Sequence, residues 1–180
     1  MMEQLYKYVY RYRNPTFKNH IPKLLEEIKK VPAFSLNEPQ IKLSHTDWFT
    51  EETKAMKRDY QKYFVDNILK EFGPAFCKYN TFHEIKISNI WFQIYNKGDY
   101  HAIHTHPNCN FTNVFYLKVA PFQYTSVYDV HTNQKLECAV QPGDILSQPA
   151  FLKHESSTNA REEQKIVISF NSNINQRGYL

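Results

Sequence analysis

Six stretches in the second half of the chain, 85–95, 113–119, 124–130, 136–140, 145–146 and 165–170, are short, apolar and rich in β-branched and aromatic residues. Turn-forming groups punctuate them, among them Asn96-Lys97-Gly98-Asp99, Asn133 and Pro142-Gly143-Asp144. Strands this short bury their apolar sides only by stacking sheet on sheet or by closing into a barrel. Composition points the same way. With 13 Tyr and 13 Phe against 4 Gly, the chain favours extended segments packed by rings over a helical bundle.

The first half reads differently. Tyr6, Tyr8, Tyr10 and Tyr12 alternate with Lys7, Val9, Arg11 and Arg13, the period of two of a strand with one aromatic face. We read it as one strand added at a sheet edge. Ile21, Leu24, Leu25 and Ile28 fall at helical spacing over 19–30, with Asn19 as a cap and Pro22 in the first turn. A second helix opens on Thr50, Glu51 and Glu52, where a hydroxyl cap and acids suit a helix N-terminus. Its apolar stripe runs through Met56, Tyr60, Tyr63, Phe64, Ile68 and Phe72 and stops at Gly73-Pro74. This helix is expected to cover a sheet. At 180 residues the chain suits one domain. Residues 1–80 supply the first strand and the packing helices, and residues 81–175 the β core.

The balance of 22 basic against 18 acidic residues, a net +4, does not demand a polyanionic partner, while a small anionic substrate would suit it. Rings and cations on the opening strand could stack and neutralise single-stranded nucleic acid. Charge that protects an edge strand explains the same residues, so no nucleic-acid partner is expected. The start MMEQLYKYVYRYRNP lacks the apolar core of a secretory signal, and no apolar run suits a membrane. Cys77, Cys109 and Cys138 are odd in number, widely spaced and without a CxxC pair. They fit neither a disulfide framework nor a zinc ribbon, so an intracellular, cytoplasmic protein with free thiols is expected.

Three of the eight histidines crowd into His101-Ala102-Ile103-His104-Thr105-His106. On an extended strand, residues i and i+2 share a face, so His104 and His106 can aim two imidazoles at one point, whereas His101 has the other parity. Taken alone, such a pair is equally a strand's polar face. The residues that follow favour a metal. Pro142-Gly143-Asp144-Ile145-Leu146 leads through Pro149 to His154, a histidine placed to close a site from the opposing sheet. We therefore take His104, His106 and His154 as metal ligands and as the catalytic centre. Cys109 could be a soft ligand, but burial as a small apolar residue explains it equally. Trp48 and Trp91 are read as packing residues.

In order along the chain, Thr46-Asp47-Trp48, Trp91-Phe92-Gln93-Ile94-Tyr95-Asn96-Lys97-Gly98-Asp99-Tyr100, His104-Thr105-His106-Pro107-Asn108, Val114-Phe115-Tyr116-Leu117, Pro142-Gly143-Asp144-Ile145-Leu146, His154 and the segment 165–171 resemble the 2-oxoglutarate- and Fe(II)-dependent oxygenases. The likeness is to the small members known from bacteria and phages, and it spans residues 44–174 in scattered motifs. It implies a mainly β chain with N-terminal helices, built on a double-stranded β-helix, the jelly-roll barrel shared with cupins. It also implies Fe(II), 2-oxoglutarate as co-substrate, and O₂. The activity implied is a dioxygenase, a hydroxylase of an unidentified small-molecule or protein substrate, releasing succinate and CO₂.

The sequence departs from that family at two places. Its usual metal set is two histidines and a carboxylate, and here His106 stands in the carboxylate position, with Asp99 or Asp144 as carboxylates that could still approach. The arginine that grips the far carboxylate of the co-substrate is replaced by Lys165, with Arg161 four residues earlier. Lysine offers a point charge where arginine offers a fork. Where the family carries a helping hydroxyl, this chain has Val167, leaving Tyr116 and Gln93 as candidates for that contact. Two other functions fit the same residues: a cupin-like three-histidine metalloenzyme that uses no 2-oxoglutarate, and a non-catalytic binding barrel.

Overall fold

The computed structural model describes residues 1–32, 34–48 and 55–175. Its N-terminal part comprises β1 (Met2–Tyr6), β2 (Val9–Arg13), α1 (Phe17–Lys29), β3 (Leu36–Glu38), β4 (Ile41–Leu43) and β5 (His45–Thr46). Then come α2 (Asp59–Phe64), a π turn (Val65–Leu69) and α3 (Lys70–Asn80) in continuous succession. The rest is strand: β6 (Glu84–Tyr95), β7 (Tyr100–His104), β8 (Phe111–Lys118), β9 (Thr125–Tyr128), β10 (Lys135–Glu137), β11 (Asp144–Pro149), β12 (His154–Ser156) and β13 (Lys165–Asn175).

The strands form two sheets, one in the order β1-β2-β11-β8-β13-β6-β5 and one in the order β10-β9-β12-β7-β4-β3. From β6 onward the chain crosses from one sheet to the other at every connection except the β9–β10 hairpin. That interleaving, with every pair antiparallel, is the jelly roll expected from the sequence, a double-stranded β-helix.

Alternation along β13 decides what each face does. Ile166, Ile168 and Phe170 join Phe64, Phe72, Phe76 and Phe115 in an aromatic core under the helices. Lys165, Val167 and Ser169, of opposite parity, point between the sheets and line a cavity there. The larger sheet is thus covered by helices outside and forms the wall of a site inside. β6 is clamped from behind. Asp47 accepts from the backbone N–H of Phe92 at 2.8 Å and from the Tyr60 hydroxyl at 2.6 Å, and Thr46 donates to the Phe92 carbonyl at 2.6 Å. Burial raises the Asp47 carboxyl above its ordinary range, against the pull of Tyr60, Phe92 and Arg58.

Several features differ from the sequence expectation. The opening strand is a hairpin, reversed at Tyr8 with φ +67°. Its second arm still adds to the edge of the sheet, beside β11. Helix α1 starts at Phe17, not after Asn19, because the Asn14 side chain accepts from Thr16 N–H and organises the turn ahead of it; Pro22 therefore lies inside the helix. The helix expected to stop at Gly73-Pro74 runs on to Asn80. An internal proline costs about 3 kcal/mol, and the complete burial of Phe76 beyond it offsets roughly 1.5–3 kcal/mol of that. The caps proposed at Thr50, Glu51 and Glu52 lie outside the described residues, and the helix expected from there begins only at Asp59, leaving Met56 ahead of it. Short strands β3, β4, β5 and β12 also extend the sheets, where the sequence offers no alternation long enough to reveal them.

Candidate metal centre

His104 closes β7, His154 opens β12, and the two are direct cross-strand partners. His106 lies just past the end of β7, fixed by its N–H to the Ala150 carbonyl at 3.0 Å. The ring centroids are 4.2 Å apart for His104 and His154, 5.1 Å for His104 and His106, and 5.0 Å for His106 and His154. One nitrogen from each lies within 4.8 Å of the other two. Among the described residues these three form the one group of histidine, cysteine or carboxylate side chains disposed to share an ion.

The second nitrogen of each ring settles which one faces the centre. Nδ1 of His104 lies 2.7 Å from the Ala102 carbonyl, Nδ1 of His154 lies 3.0 Å from the Leu152 carbonyl, and Nδ1 of His106 lies 2.8 Å from Oδ1 of Asn171. All three partners are acceptors, so each Nδ1 carries the proton and each Nε2 presents a lone pair. Burial keeps the rings neutral, pushing His104 down to about 4 and His154 to about 3, and lowering His106 as well. Three neutral imidazoles with fixed tautomers and converging Nε2 atoms are the donor set that divalent transition metals take. The expected carboxylates stay away. Asp99 accepts from Ser44 N–H, Ser44 Oγ and Asn96 N–H, and Asp144 pairs with Arg13 and accepts from Gln141 N–H. Cys109 is not in the group either.

His101 is the residue that strand parity misplaces. His104 pairs with His154 and His101 with Ser156, so β7 carries one more residue than β12 over the same span. A bulge of this kind re-aims the side chains on either side of it. His101 turns inward and lies flat on His104, with centroids 3.7 Å apart and planes 12° from parallel.

One cavity contains the three histidines together with His101, Gln93, Trp91, Thr125, Ser156, Val167 and Lys165. Lys165 is 2% exposed. Its ammonium donates to Ser156 Oγ at 3.0 Å and sits 5.1 and 5.7 Å from the ring centres of Tyr95 and Tyr116. Burial pushes its pKa down to about 7, and among the described residues no carboxylate pairs with it. Tyr116 supports the site from beneath, its hydroxyl donating to Thr125 Oγ1 at 2.7 Å. Gln93 accepts from Ser169 at 2.9 Å on the cavity wall. Arg161 is exposed in the turn before β13 and does not reach the cavity.

Several lining residues were not assigned to the site from sequence. Ser156 was within reach, since it lies two residues after His154 and so shares its face. Trp91 was taken for packing, and it does meet Trp48 edge-on at 4.5 Å, yet it also stacks over His106 at 5.9 Å. Thr125 has nothing in the sequence to mark it within its expected strand, and His101 was set aside on a parity that the bulge reverses.

No family model and no curated protein matches the chain. Solved structures do match it. A 2OG-Fe(II) oxygenase family oxidoreductase from Burkholderia pseudomallei superposes with a TM-score of 0.72 at 11% identity, over 94% of this chain and 88% of that one. The fold is that of the 2-oxoglutarate- and Fe(II)-dependent oxygenases. A Pseudomonas putida prolyl-4-hydroxylase matches with a TM-score of 0.59 at 11% identity over 93% of both chains. The viral collagen prolyl hydroxylase of Paramecium Bursaria Chlorella virus-1, solved with 2OG, matches at 0.57 and 15% identity over 92% of this chain and 96% of that one.

Proposed function

We propose that this protein is an Fe(II)- and 2-oxoglutarate-dependent dioxygenase that hydroxylates a small-molecule or protein substrate. The observation that carries the proposal is a pairing inside one cavity. A three-imidazole centre with converging Nε2 atoms shares it with a buried ammonium that has no carboxylate partner. A buried cation without a counter-ion is unfavourable until an anion arrives, and a dicarboxylic oxoacid reaching from the metal to Lys165 would supply one. His104, His106 and His154 would hold the iron through Nε2, and Lys165 would hold the far carboxylate.

When bound, iron provides the oxidising chemistry: one atom of O₂ enters a C–H bond of the substrate as a hydroxyl, and the other enters succinate as CO₂ leaves. The protein's part is to bind, orient and exclude. The Ala102, Leu152 and Asn171 oxygens hold the proton on each Nδ1 and aim each Nε2 at the centre. Ser156 fixes the Lys165 ammonium, and Tyr95 and Tyr116 keep water from it. Val167 offers no hydroxyl beside Lys165. Thr125 lines the cavity and receives the Tyr116 hydrogen bond, so its own proton is free for the second carboxylate oxygen, the contact first assigned to Tyr116 or Gln93. Substrate choice rests with the loops at the barrel mouth.

Among the described residues no helix is long and apolar enough to cross a membrane. Three unpaired thiols support an intracellular, cytoplasmic setting. The test is succinate formation from 2-oxoglutarate by the Fe(II)-loaded protein without added substrate. Slow formation that His154→Ala abolishes supports the proposal. Tight iron binding with no oxoacid turnover would move the assignment to the cupin-like metalloenzyme, and no metal binding would leave a binding barrel.

A further inference from the structure

We propose that His101 is a positioning residue of the metal centre, holding the plane of the His104 ring by face-to-face stacking. The inference rests on the metal site proposed above and adds a fourth histidine, one that ligates nothing. Three observations converge on it. The β7 bulge serves to bring His101 inward; in a regular ladder its side chain would leave the barrel. Having turned inward, the ring contacts a ligand rather than the ion, lying 3.7 Å from the His104 centroid and 12° from parallel, and it is not in the ligand group. His104 is also the ligand most in need of such support. Its Nδ1 is held by the carbonyl of Ala102, inside the same bulge, whereas His154 is anchored by Leu152 outside any bulge and His106 by Asn171 on β13.

A single hydrogen bond from Nδ1 leaves the ring free to swing about the bond axis. A flat partner on one face removes that freedom. Because His101 stands opposite Ser156, which holds Lys165, the same ring also forms the wall between His104 and the far end of the cavity. Loss of a group that orients a metal-bound histidine lowers metal affinity about 10–100-fold.

The experiment measures Co(II) affinity and the visible ligand-field spectrum of the full chain for wild type, His101→Phe, His101→Leu and His101→Ala. Melting of the metal-free proteins verifies that each variant folds. His101→Phe keeps a flat ring and is expected to bind within about 3-fold of wild type with an unchanged spectrum. His101→Leu keeps bulk without a ring and is expected to bind about 10-fold more weakly or worse, with altered bands; His101→Ala is expected to match it. Should His101→Ala fold poorly, the comparison of Phe with Leu decides alone. Wild-type affinity in His101→Leu would overturn the inference, as would equal losses in Phe and Leu, since the ring nitrogens rather than the flat face would then matter. Absence of Co(II) binding by the wild type would refute the metal site itself, an outcome separate from either of these.

Discussion

Replacing Lys165 by methionine should make the metal-free protein more stable while removing its grip on 2-oxoglutarate. Methionine keeps an unbranched apolar stem one atom shorter than lysine and deletes the charge. Lys165 is fully enclosed, and burial takes its pKa from 10.5 to about 7. At ~1.4 kcal/mol per pH unit between those values, housing this side chain costs ~5 kcal/mol near neutral pH. The bond to Ser156 offsets about 1 kcal/mol of that, and ring contacts with Tyr95 and Tyr116 offset roughly another 1–2. A net gain of ~2 kcal/mol is left for Lys165→Met, which in a chain of this size raises the melting temperature by about 4–8 °C. The sign with pH follows from the lowered value. Folding expels a proton from Lys165 between pH 7 and 10.5, so wild-type stability rises through that window and is level below it. The advantage of Lys165→Met should therefore be largest at pH 7 and nearly gone by pH 10.5. Thermal melts of both proteins at several pH values are the assay. A destabilised Lys165→Met, or a difference that grows with pH, would refute the account of Lys165 as a charge housed for a ligand.

Binding of 2-oxoglutarate by the iron-loaded protein should weaken above pH 7, as Lys165 loses its proton, by up to about 10-fold per pH unit in a titration; a flat profile would contradict the lysine anchor. Asn171→Ala removes the acceptor for Nδ1 of His106 and should lower Co(II) affinity about 10–100-fold while the metal-free melt shifts little. Gly143→Ala should cost about 3 kcal/mol or more, seen as a lower melting temperature, because Gly143 has φ +92° and an added Cβ would stand 2.3 Å from the Phe17 ring.

What the sequence made legible is what periodicity controls. The parity of β13 separates Ile166, Ile168 and Phe170 from Lys165, Val167 and Ser169 because this stretch is extended and pairs with β6 residue for residue, and the structure keeps the division. The order of HxH, turn and distal histidine brought His104, His106 and His154 together because two sheets facing each other leave few other places for them. Failures came where one residue changes the count or where burial overrides a local preference. The bulge in β7 reverses the parity of His101, and no alternation rule contains an insertion. Tyr8 turns the first hairpin without a glycine to announce it. Gly73-Pro74 read as an end, but the helix continues through it and buries Phe76 on the far side. Arg161 stayed a candidate beside Lys165 because a long side chain in the preceding turn could reach back, and the structure leaves it exposed there while Lys165 opens the strand on the cavity wall.

The central claim is that one cavity holds iron on three histidines and an oxoacid against Lys165. The direct test is anaerobic: add Fe(II) and then 2-oxoglutarate, and follow the weak visible charge-transfer band that forms when the oxoacid chelates iron. The account predicts a band for the wild type, a band needing far more 2-oxoglutarate in Lys165→Met, and none in His154→Ala. Iron bound without any band would contradict it.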